Sequence, residues 1–87
     1  MTTGAWRPAV APAVILRHDP VRGTDLLVMP ERIVMLNDEA AAVLRLCDGG
    51  RTVTEIVDEL RGDFPEAPVA ADVPEFLAQV RAEGWVR

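Results

Sequence analysis

The amino-acid sequence predicts an α+β domain of the winged helix-turn-helix type, with a three-stranded antiparallel sheet followed by three helices. Two observations lead to this fold class. Before Leu36 the apolar residues form three short, β-rich runs separated by turn residues, whereas after Leu36 they recur about every 3.6 residues. A short glycine-containing link at residues 48–51 joins the first two helical segments, as in a helix-turn-helix motif. The length of 87 residues suits a single core, so we expect one domain.

The three β-rich runs predict strands over residues 13–17, 25–29 and 32–36. Antiparallel pairing follows from the short connections between them, which contain glycine or proline. Residues 1–12 contain a glycine and two prolines without any periodicity, and we expect them to form a flexible N-terminal arm. The single folded domain is therefore expected over residues 13–87.

Helix one and helix two have clear start signals. Asn37 is a good N-cap for helix one, which is expected to end at the glycines that follow Asp48. Thr52 and Glu55 have the T-x-x-E spacing of a capping box, so helix two should begin there and stop at Gly62. After the start of each helix, the apolar residues follow the i, i+3, i+4 spacing of one buried helix face.

Helix three is expected to begin after a proline-containing loop over residues 64–71. Asp72 and Glu75 have a box-like capping spacing around Pro74, and proline is common in the first turn of a helix. Gly84 lies where a C-terminal cap glycine belongs. The sequence therefore predicts that helix three starts at Asp72 and stops before Gly84.

The charge balance argues against nucleic acids and membranes as partners. Fourteen acidic residues against nine arginines give a net charge of −5, so the chain as a whole repels a phosphate backbone. The arginines are scattered and form no polybasic stretch of the kind that binds anionic lipids. The first residues lack the features of a signal peptide, and no apolar run of about 18 residues occurs. We therefore expect a cytoplasmic protein.

Few residues could carry catalysis or bind a metal. His18 is the only histidine, and without a nucleophile beside it we expect an exposed histidine at a strand end. Cys47, the only cysteine, falls on the apolar side of helix one and is expected to be a small core residue. No ligand spacing typical of zinc or calcium sites occurs. The sequence thus predicts a protein that is not an enzyme and uses no cofactor or metal.

The predicted helix-turn-helix motif suggests DNA binding as one hypothesis. A recognition helix presents basic and amide side chains to bases and phosphates. The outward positions of helix two hold mainly acids: Glu55, Asp58 and Glu59, with Arg61 as the one base. Because acids repel a polyanion, a winged-helix transcription regulator is a disfavoured alternative, and an enzyme is a weaker one.

The third predicted strand is unusual because residues 33–36 are all apolar. A sheet covered on one face should alternate between apolar and polar residues. Two interpretations follow. Either the domain's own helices cover both faces of this strand, or the strand, which is an edge in a three-strand meander, receives an added strand from another chain.

Several short motifs occur together along the chain. They are Val21-Arg22-Gly23, Pro30-Glu31-Arg32, Leu46-Cys47-Asp48-Gly49, Thr52-Val53, Glu55-Ile56, Asp72-Val73 and Gly84. In this order, over residues 8–87, they resemble the PqqD family, the small peptide chaperones of pyrroloquinoline quinone (PQQ) biosynthesis. Each motif alone is weak, but the combination of P-E-R with C-D-G-x-x-T-V-x-E-I is specific.

The resemblance implies a winged-helix-like recognition element of ribosomally synthesised and post-translationally modified peptides (RiPPs). Members of the family bind the precursor peptide PqqA and present it to PqqE, a radical S-adenosylmethionine enzyme that links a glutamate and a tyrosine of the peptide. Related domains take the leader peptide as an extra strand beside the third strand. Carried over to this chain, the resemblance implies peptide contacts along the third strand and helix three, at Arg32, Ile33, Val34, Met35, Leu36, Phe76, Leu77, Val80 and Arg81.

The resemblance thus implies a non-catalytic peptide chaperone whose partners are a PqqA-like precursor peptide and a PqqE-like radical S-adenosylmethionine enzyme. Related recognition elements share the fold and serve other RiPP pathways, so a leader-recognition domain of another pathway is the main alternative. In both cases the apolar third strand is expected to be a binding site.

Overall fold

The computed structural model describes residues 6–87 and confirms the predicted architecture of three antiparallel strands followed by three helices. The elements are β1 (Ile15–Asp19), β2 (Thr24–Val28), β3 (Ile33–Leu36), α1 (Asp38–Arg45), α2 (Val53–Asp63) and α3 (Val69–Ala82). The strand ends differ from the predicted ranges by one or two residues. Turn hydrogen bonds lie at two of these ends, from Val14 N to Ala11 O and from Met29 N to Arg32 O.

The sheet is a meander in the order β1-β2-β3, which makes β1 and β3 its two edges. Gly23 takes a positive φ of 65° in the β1–β2 turn, a conformation that suits glycine. In the β2–β3 connection, Met29 N–H donates to the Arg32 carbonyl at 2.9 Å and closes the two-residue corner Pro30-Glu31. β3 therefore runs antiparallel to β2, and no strand of the described residues pairs with its other side.

One face of the sheet is covered by helices and forms the core. On this face Leu27 lies opposite Val34, and Asp25 lies opposite Leu36. α1 packs against all three strands, and α2 packs against α3. The buried apolar residues form a single cluster: Leu27, Met29, Leu36, Ala41, Val43, Leu44, Cys47, Ile56, Val57, Leu60, Val69, Val73, Leu77, Val80 and Val86.

The opposite face of the sheet is open to solvent. Ile33 is 62% exposed and Met35 is 66% exposed, because alternate side chains of β3 point away from the helices. The interpretation in which the domain's own helices cover both faces of β3 is therefore wrong for the described residues. We call this surface the open face; cross-strand pairing places on it Ile15, Arg17, Asp19, Thr24, Leu26, Val28, Ile33 and Met35.

The start signals of the first two helices are confirmed. Asn37 Oδ1 accepts a hydrogen bond from Ala40 N at 2.7 Å. At α2, Thr52 Oγ1 accepts from Glu55 N, and a Glu55 carboxylate oxygen accepts from Thr52 N, so both halves of the capping box are present. The sequence signals are reliable here because the cap residues lie within three positions of the groups they satisfy.

The predicted start of α3 is wrong. The helix begins at Val69 with Pro68 as its N-cap, so Asp72 and Glu75 form no cap and Pro74 lies inside the helix. Pro68 has no side-chain donor or acceptor, which left the sequence without a capping signal. Pro74 removes one backbone hydrogen bond, and the buried neighbour Val73 keeps the helix packed on the core.

The end of α3 is as predicted and fixes the position of the residue that follows it. Gly84 has a φ of 83°, and its N–H donates to Arg81 O at 3.1 Å. The next N–H, of Trp85, donates to Val80 O at 2.9 Å, which completes a Schellman motif. The glycine stop thereby turns Trp85 back along the helix.

Cys47 is buried, as expected, although it lies just beyond α1 rather than within it. α1 ends at Arg45, and the Cys47 thiol donates to Val43 O at 3.3 Å. Only 4% of the residue is exposed. Burial, followed by the nearby charge of Asp48, raises the pKa of the Cys47 thiol to about 11. The thiol is therefore protonated at neutral pH and behaves as a core group.

Part of the segment expected to be a flexible arm is paired with the rest of the domain. Ala9 and Arg87 exchange two backbone hydrogen bonds of 2.9 and 2.8 Å, and Ala11 N donates to Trp85 O at 2.8 Å. Val10 N also donates to Cys47 O at 3.1 Å. Residues 8–11 are thus held by the C-terminal tail and by the α1–α2 link, while residues 1–5 of the expected arm lie outside the described residues.

Within residues 6–87, no helix has both the length and the apolar character needed to cross a membrane. In the same residues no group of three or more histidine, cysteine, aspartate or glutamate side chains is placed to hold a metal ion.

Candidate functional site

The free side of β3 offers backbone hydrogen-bonding groups to a partner. Because Met29 and Arg32 form a hydrogen-bonded pair, the alternation of an antiparallel ladder makes Leu27–Val34 the next such pair. Ile33 and Met35 lie between these pairs, so their N–H and C=O groups point away from β2. We call these outward groups of Ile33 and Met35 the β3 edge. An added strand could form up to about four backbone hydrogen bonds with them.

A groove lies along α3, close to the residues that flank β3. It consists of two hollows that share Phe76, one of about 520 Å³ and the other of about 350 Å³. Arg32, the residue before β3, lines the larger hollow, and Asn37, the residue after β3, lines the smaller one. The groove therefore comes close to both ends of β3, although no residue of β3 lines it, and the half-buried ring of Phe76 belongs to both hollows.

The larger hollow ends at an aromatic wall formed by Trp85. The Arg32 guanidinium lies over the Trp85 ring, 5.4 Å from its centroid, and one of its nitrogens is 3.6 Å from a Glu83 carboxylate oxygen. Arg32 thus links the start of β3 to the end of α3 across the groove. Its side chain is half exposed, so a carboxylate on a ligand can reach it in competition with Glu83.

The smaller hollow has a more acidic lining. Glu39 and Asp72 lie on its two sides, with Ala40 and Phe76 between them. The groove therefore has a carboxylate-rich end near the start of α1 and an end with one arginine near Trp85. An asymmetric groove of this kind suits a chain with a defined direction.

The structure places the predicted site residues in different surroundings. Ile33 and Met35 form the β3 edge, and Arg32 and Phe76 line the groove. Val34 lies between the two edge residues, where it pairs with Leu27 and points toward the helices.

Leu36 and Leu77 are buried, with 8% and 0% exposed, and belong to the core beneath the groove. Val80 is only 3% exposed but forms part of the floor of the larger hollow. Arg81 lies over the Trp6 ring at 4.2 Å and does not line either hollow. The peptide contacts predicted at Leu36, Leu77 and Arg81 are therefore not placed on the groove surface.

Other groove residues were missed at the sequence level. Trp85 and Glu83 form the wall of the larger hollow, with Gln79 beside them. Gln79 and Glu83 lie three and seven residues after Phe76, which is the spacing of one helix face, and this spacing could have identified them. Trp85 depends on the turn made at Gly84, so helical spacing alone could not locate it.

The other notable polar cluster lies on the covered face, away from the groove. Asp25 is 8% exposed, and its Oδ1 is 3.0 Å from His18 Nδ1 and 2.7 Å from an Arg45 nitrogen. The hydrogen bond with His18, with a further contribution from Arg45, lowers the pKa of the Asp25 carboxyl despite its burial. His18 is half exposed at a strand end, as predicted, but its ring is held by Asp25. This cluster ties β1 and β2 to the last turn of α1 and contacts neither hollow.

Comparisons with known proteins point to one family. The sequence model of the family "Coenzyme PQQ synthesis protein D (PqqD)" matches residues 26–86. The "PqqA binding protein" of Pseudomonas entomophila (strain L48) is 39% identical over 83 residues, covering 94% of this chain and 87% of the relative. The "PqqA binding protein" of Azotobacter vinelandii is 42% identical over 69 residues, covering 78% of this chain and 75% of the relative.

A solved structure has the same fold. It is the solution NMR structure of the PqqD truncation of Methylobacterium extorquens PqqCD, described as a functional, stand-alone RiPP recognition element. The TM-score is 0.77 at 34% sequence identity, and the match covers 100% of this chain and 95% of that one. With its fold, its sequence and the matched residues 26–86 in agreement, the chain belongs to the PqqD family.

Proposed function

We propose that this protein is a non-catalytic peptide chaperone of PQQ biosynthesis, which binds a PqqA-like precursor peptide as a fourth strand on the β3 edge. The observation that carries the proposal is the set of unused backbone groups on Ile33 and Met35, together with a groove that reaches the residues just before and just after β3. Relatives 39% and 42% identical carry the name PqqA binding protein, which supports this choice of peptide. The chaperone works in the cytoplasm and presents the peptide to a PqqE-like radical S-adenosylmethionine enzyme.

The groove has to supply much of the affinity. About four backbone hydrogen bonds contribute roughly 2 to 6 kcal/mol together, since each is worth about 0.5 to 1.5 kcal/mol net. A dissociation constant near 1 μM requires about 8 kcal/mol, after the cost of ordering the peptide. Burial of apolar peptide side chains against Phe76 and Trp85 closes this gap. Backbone bonds thus set the orientation, and the two hollows select the peptide and its register.

The titratable groups support a non-catalytic role. The Cys47 thiol has a pKa of about 11 and is buried in the core, so it is a poor nucleophile. His18 is bound to Asp25 and lines neither hollow of the groove. Within residues 6–87, neither group is within the hollows where a peptide would lie. Chemical modification of the peptide is therefore assigned to the partner enzyme.

A pair of proline variants tests the added strand. Met35→Pro removes an outward N–H, and proline is tolerated at edge positions whose N–H faces away from the sheet. We expect the variant to fold and to bind a synthetic PqqA-type peptide at least about tenfold more weakly, as measured by isothermal titration calorimetry. Val34→Pro is the matched control, because it removes an N–H that pairs with Leu27 and should lower the melting temperature instead.

Two further titrations complete the test. The added-strand model is contradicted if Met35→Pro is folded, as judged by circular dichroism, and binds the peptide as tightly as the parent does. Tighter binding of an unrelated RiPP leader peptide than of the PqqA-type peptide would assign the domain to another pathway. Binding of duplex DNA in preference to either peptide would instead support a transcription regulator.

A further inference from the structure

The open face is an exposed apolar surface on a small, acidic protein. Ile15, Ile33 and Met35 are each more than half exposed, and Leu26 and Val28 lie partly exposed between them. Contiguous apolar patches of this kind on a soluble domain mark interaction sites. A hollow of about 300 Å³ beside this face is lined by Leu26, Val28 and Ile33 and, toward the β1–β2 turn, by Arg17, His18, Asp19 and Pro20. The surface therefore offers a partner both apolar and charged contacts.

The open face is continuous with the β3 edge. Ile33 and Met35 hold the outward backbone groups of the edge, and their side chains lie on the open face. A peptide added to this edge has alternate side chains on opposite faces of the extended sheet. One set enters the groove beside Phe76, and the other set lies on the open face beside Ile33 and Met35. Peptide binding therefore enlarges the open face and adds peptide side chains to it.

The dimensions of the open face argue against a stable dimer of this chain. Three strands of about five residues cover roughly 14 Å by 17 Å, or on the order of 240 Å². Stable complexes bury about 800 Å² on each partner, so this face alone falls well short. Each copy also has a net charge of −5, which disfavours self-association. The bound peptide adds a fourth strand to the sheet. A partner that also contacts this strand buries a larger interface than two copies of the free protein can bury against each other.

On the basis of the function proposed above, we propose that the open face is the docking surface for the enzyme that modifies the bound peptide. The enzyme contacts the chaperone and the outward peptide side chains together, so it binds the loaded chaperone more tightly than the free one. The chemistry of the face specifies the partner surface: an apolar patch that covers Ile15, Val28 and Ile33, with a carboxylate placed to pair with Arg17. The peptide side chains that enter the groove remain bound to the chaperone, and those on the open face are presented to the enzyme.

The test measures two affinities separately for each variant. Ile15→Glu changes the open face at the β1 edge, which is two strands away from the β3 edge. Its matched control is Val21→Glu, because Val21 is 91% exposed in the β1–β2 turn, outside the open face. Peptide affinity is measured with a synthetic PqqA-type peptide. Enzyme affinity is measured by surface plasmon resonance, with the purified PqqE-like enzyme and the chaperone saturated with that peptide.

We expect Ile15→Glu to bind the peptide like the parent and to lose at least about tenfold in affinity for the enzyme, while Val21→Glu keeps both affinities within about twofold. Arg17→Glu, an exposed charge reversal, should also weaken enzyme binding and is decisive if Ile15→Glu does not fold. Unchanged enzyme affinity in these variants would overturn the docking surface. The docking surface would also be overturned if analytical ultracentrifugation showed that the parent protein is a dimer and that Ile15→Glu is a monomer. If the parent protein does not bind the peptide at all, in contrast, the proposed function itself is refuted.

Discussion

The two sides of β3 hold equally apolar residues and differ in what covers them. Val34 and Leu36 point toward the helices, and Leu36 is only 8% exposed. Ile33 and Met35 alternate with them along the same four-residue strand and are more than 60% exposed. An apolar run therefore shows that a strand needs cover on both faces, without showing where the cover comes from. Here the fold covers one face, and the other is open to solvent.

The largest expected difference between the two sides is in stability. Leu36→Ala should lower the free energy of unfolding by about 2 to 4 kcal/mol, because it removes buried methyl groups and leaves a cavity. Met35→Ala should change it by less than about 0.5 kcal/mol, because the side chain already contacts water. Urea unfolding monitored by circular dichroism measures both values. Equal losses in the two variants would show that the open face is covered in solution, and would remove the distinction between the faces.

A smaller effect is expected at Cys47, on the covered side of the molecule. Cys47→Ser should cost about 1 to 2 kcal/mol, because a hydroxyl replaces a buried sulphur, even though it can donate to the same Val43 carbonyl. The native thiol should also react at pH 8 about 100-fold more slowly than the thiol of the unfolded chain, since its pKa of about 11 leaves little thiolate. Alkylation kinetics in native buffer and in urea give this ratio. Equal rates in the two solutions would place Cys47 at the surface.

The smallest expected effect concerns acid. The pKa of Asp25 is lowered in the folded protein, so its ionised form stabilises the fold. This contribution is complete above the ordinary value of 3.8, and it is lost as pH falls through the lower folded pKa. Thermal melts between pH 7 and pH 3 should therefore show a decrease at the acid end that is weaker in Asp25→Asn. Identical pH profiles for parent and variant would mean that His18 and Arg45 do not stabilise the ionised form of Asp25.

The sequence was sufficient where structure depends on near neighbours. The capping box at Thr52 and Glu55 located the start of α2, and Gly84 located the end of α3. The start of α3 was missed because Pro68 caps it without a side-chain hydrogen bond. Pro74 strengthened the error, since a proline in the helix interior is rarer than one in the first turn. Tertiary burial of Val73 and Leu77 outweighs its local cost.

The site was predictable to a similar extent. Consecutive apolar residues and the meander order are enough to identify β3 as an edge strand. The family resemblance pointed to α3, but only a three-dimensional structure shows that Leu77 lies beneath the surface and that Arg81 turns toward Trp6. The aromatic wall at Trp85 was beyond sequence reasoning, because it needs contacts with Ala11 and Arg32, which are far away along the chain, in addition to the local turn at Gly84.

The pairing of residues 9–11 with the C-terminal tail has a consequence for the lifetime of the groove. Ala11 holds the Trp85 carbonyl and Ala9 exchanges two bonds with Arg87, so the aromatic wall is fastened by contacts of very high sequence separation. Such contacts form late in folding, and short paired segments near chain ends open before the core does. Each local opening frees the Trp85 carbonyl and loosens the Trp85 wall, which is then held by the turn at Gly84, while β3 and the helices stay folded. Hydrogen exchange at the amides of Ala9, Ala11 and Arg87 should therefore report how often this side of the groove loosens, and peptide binding should slow that exchange.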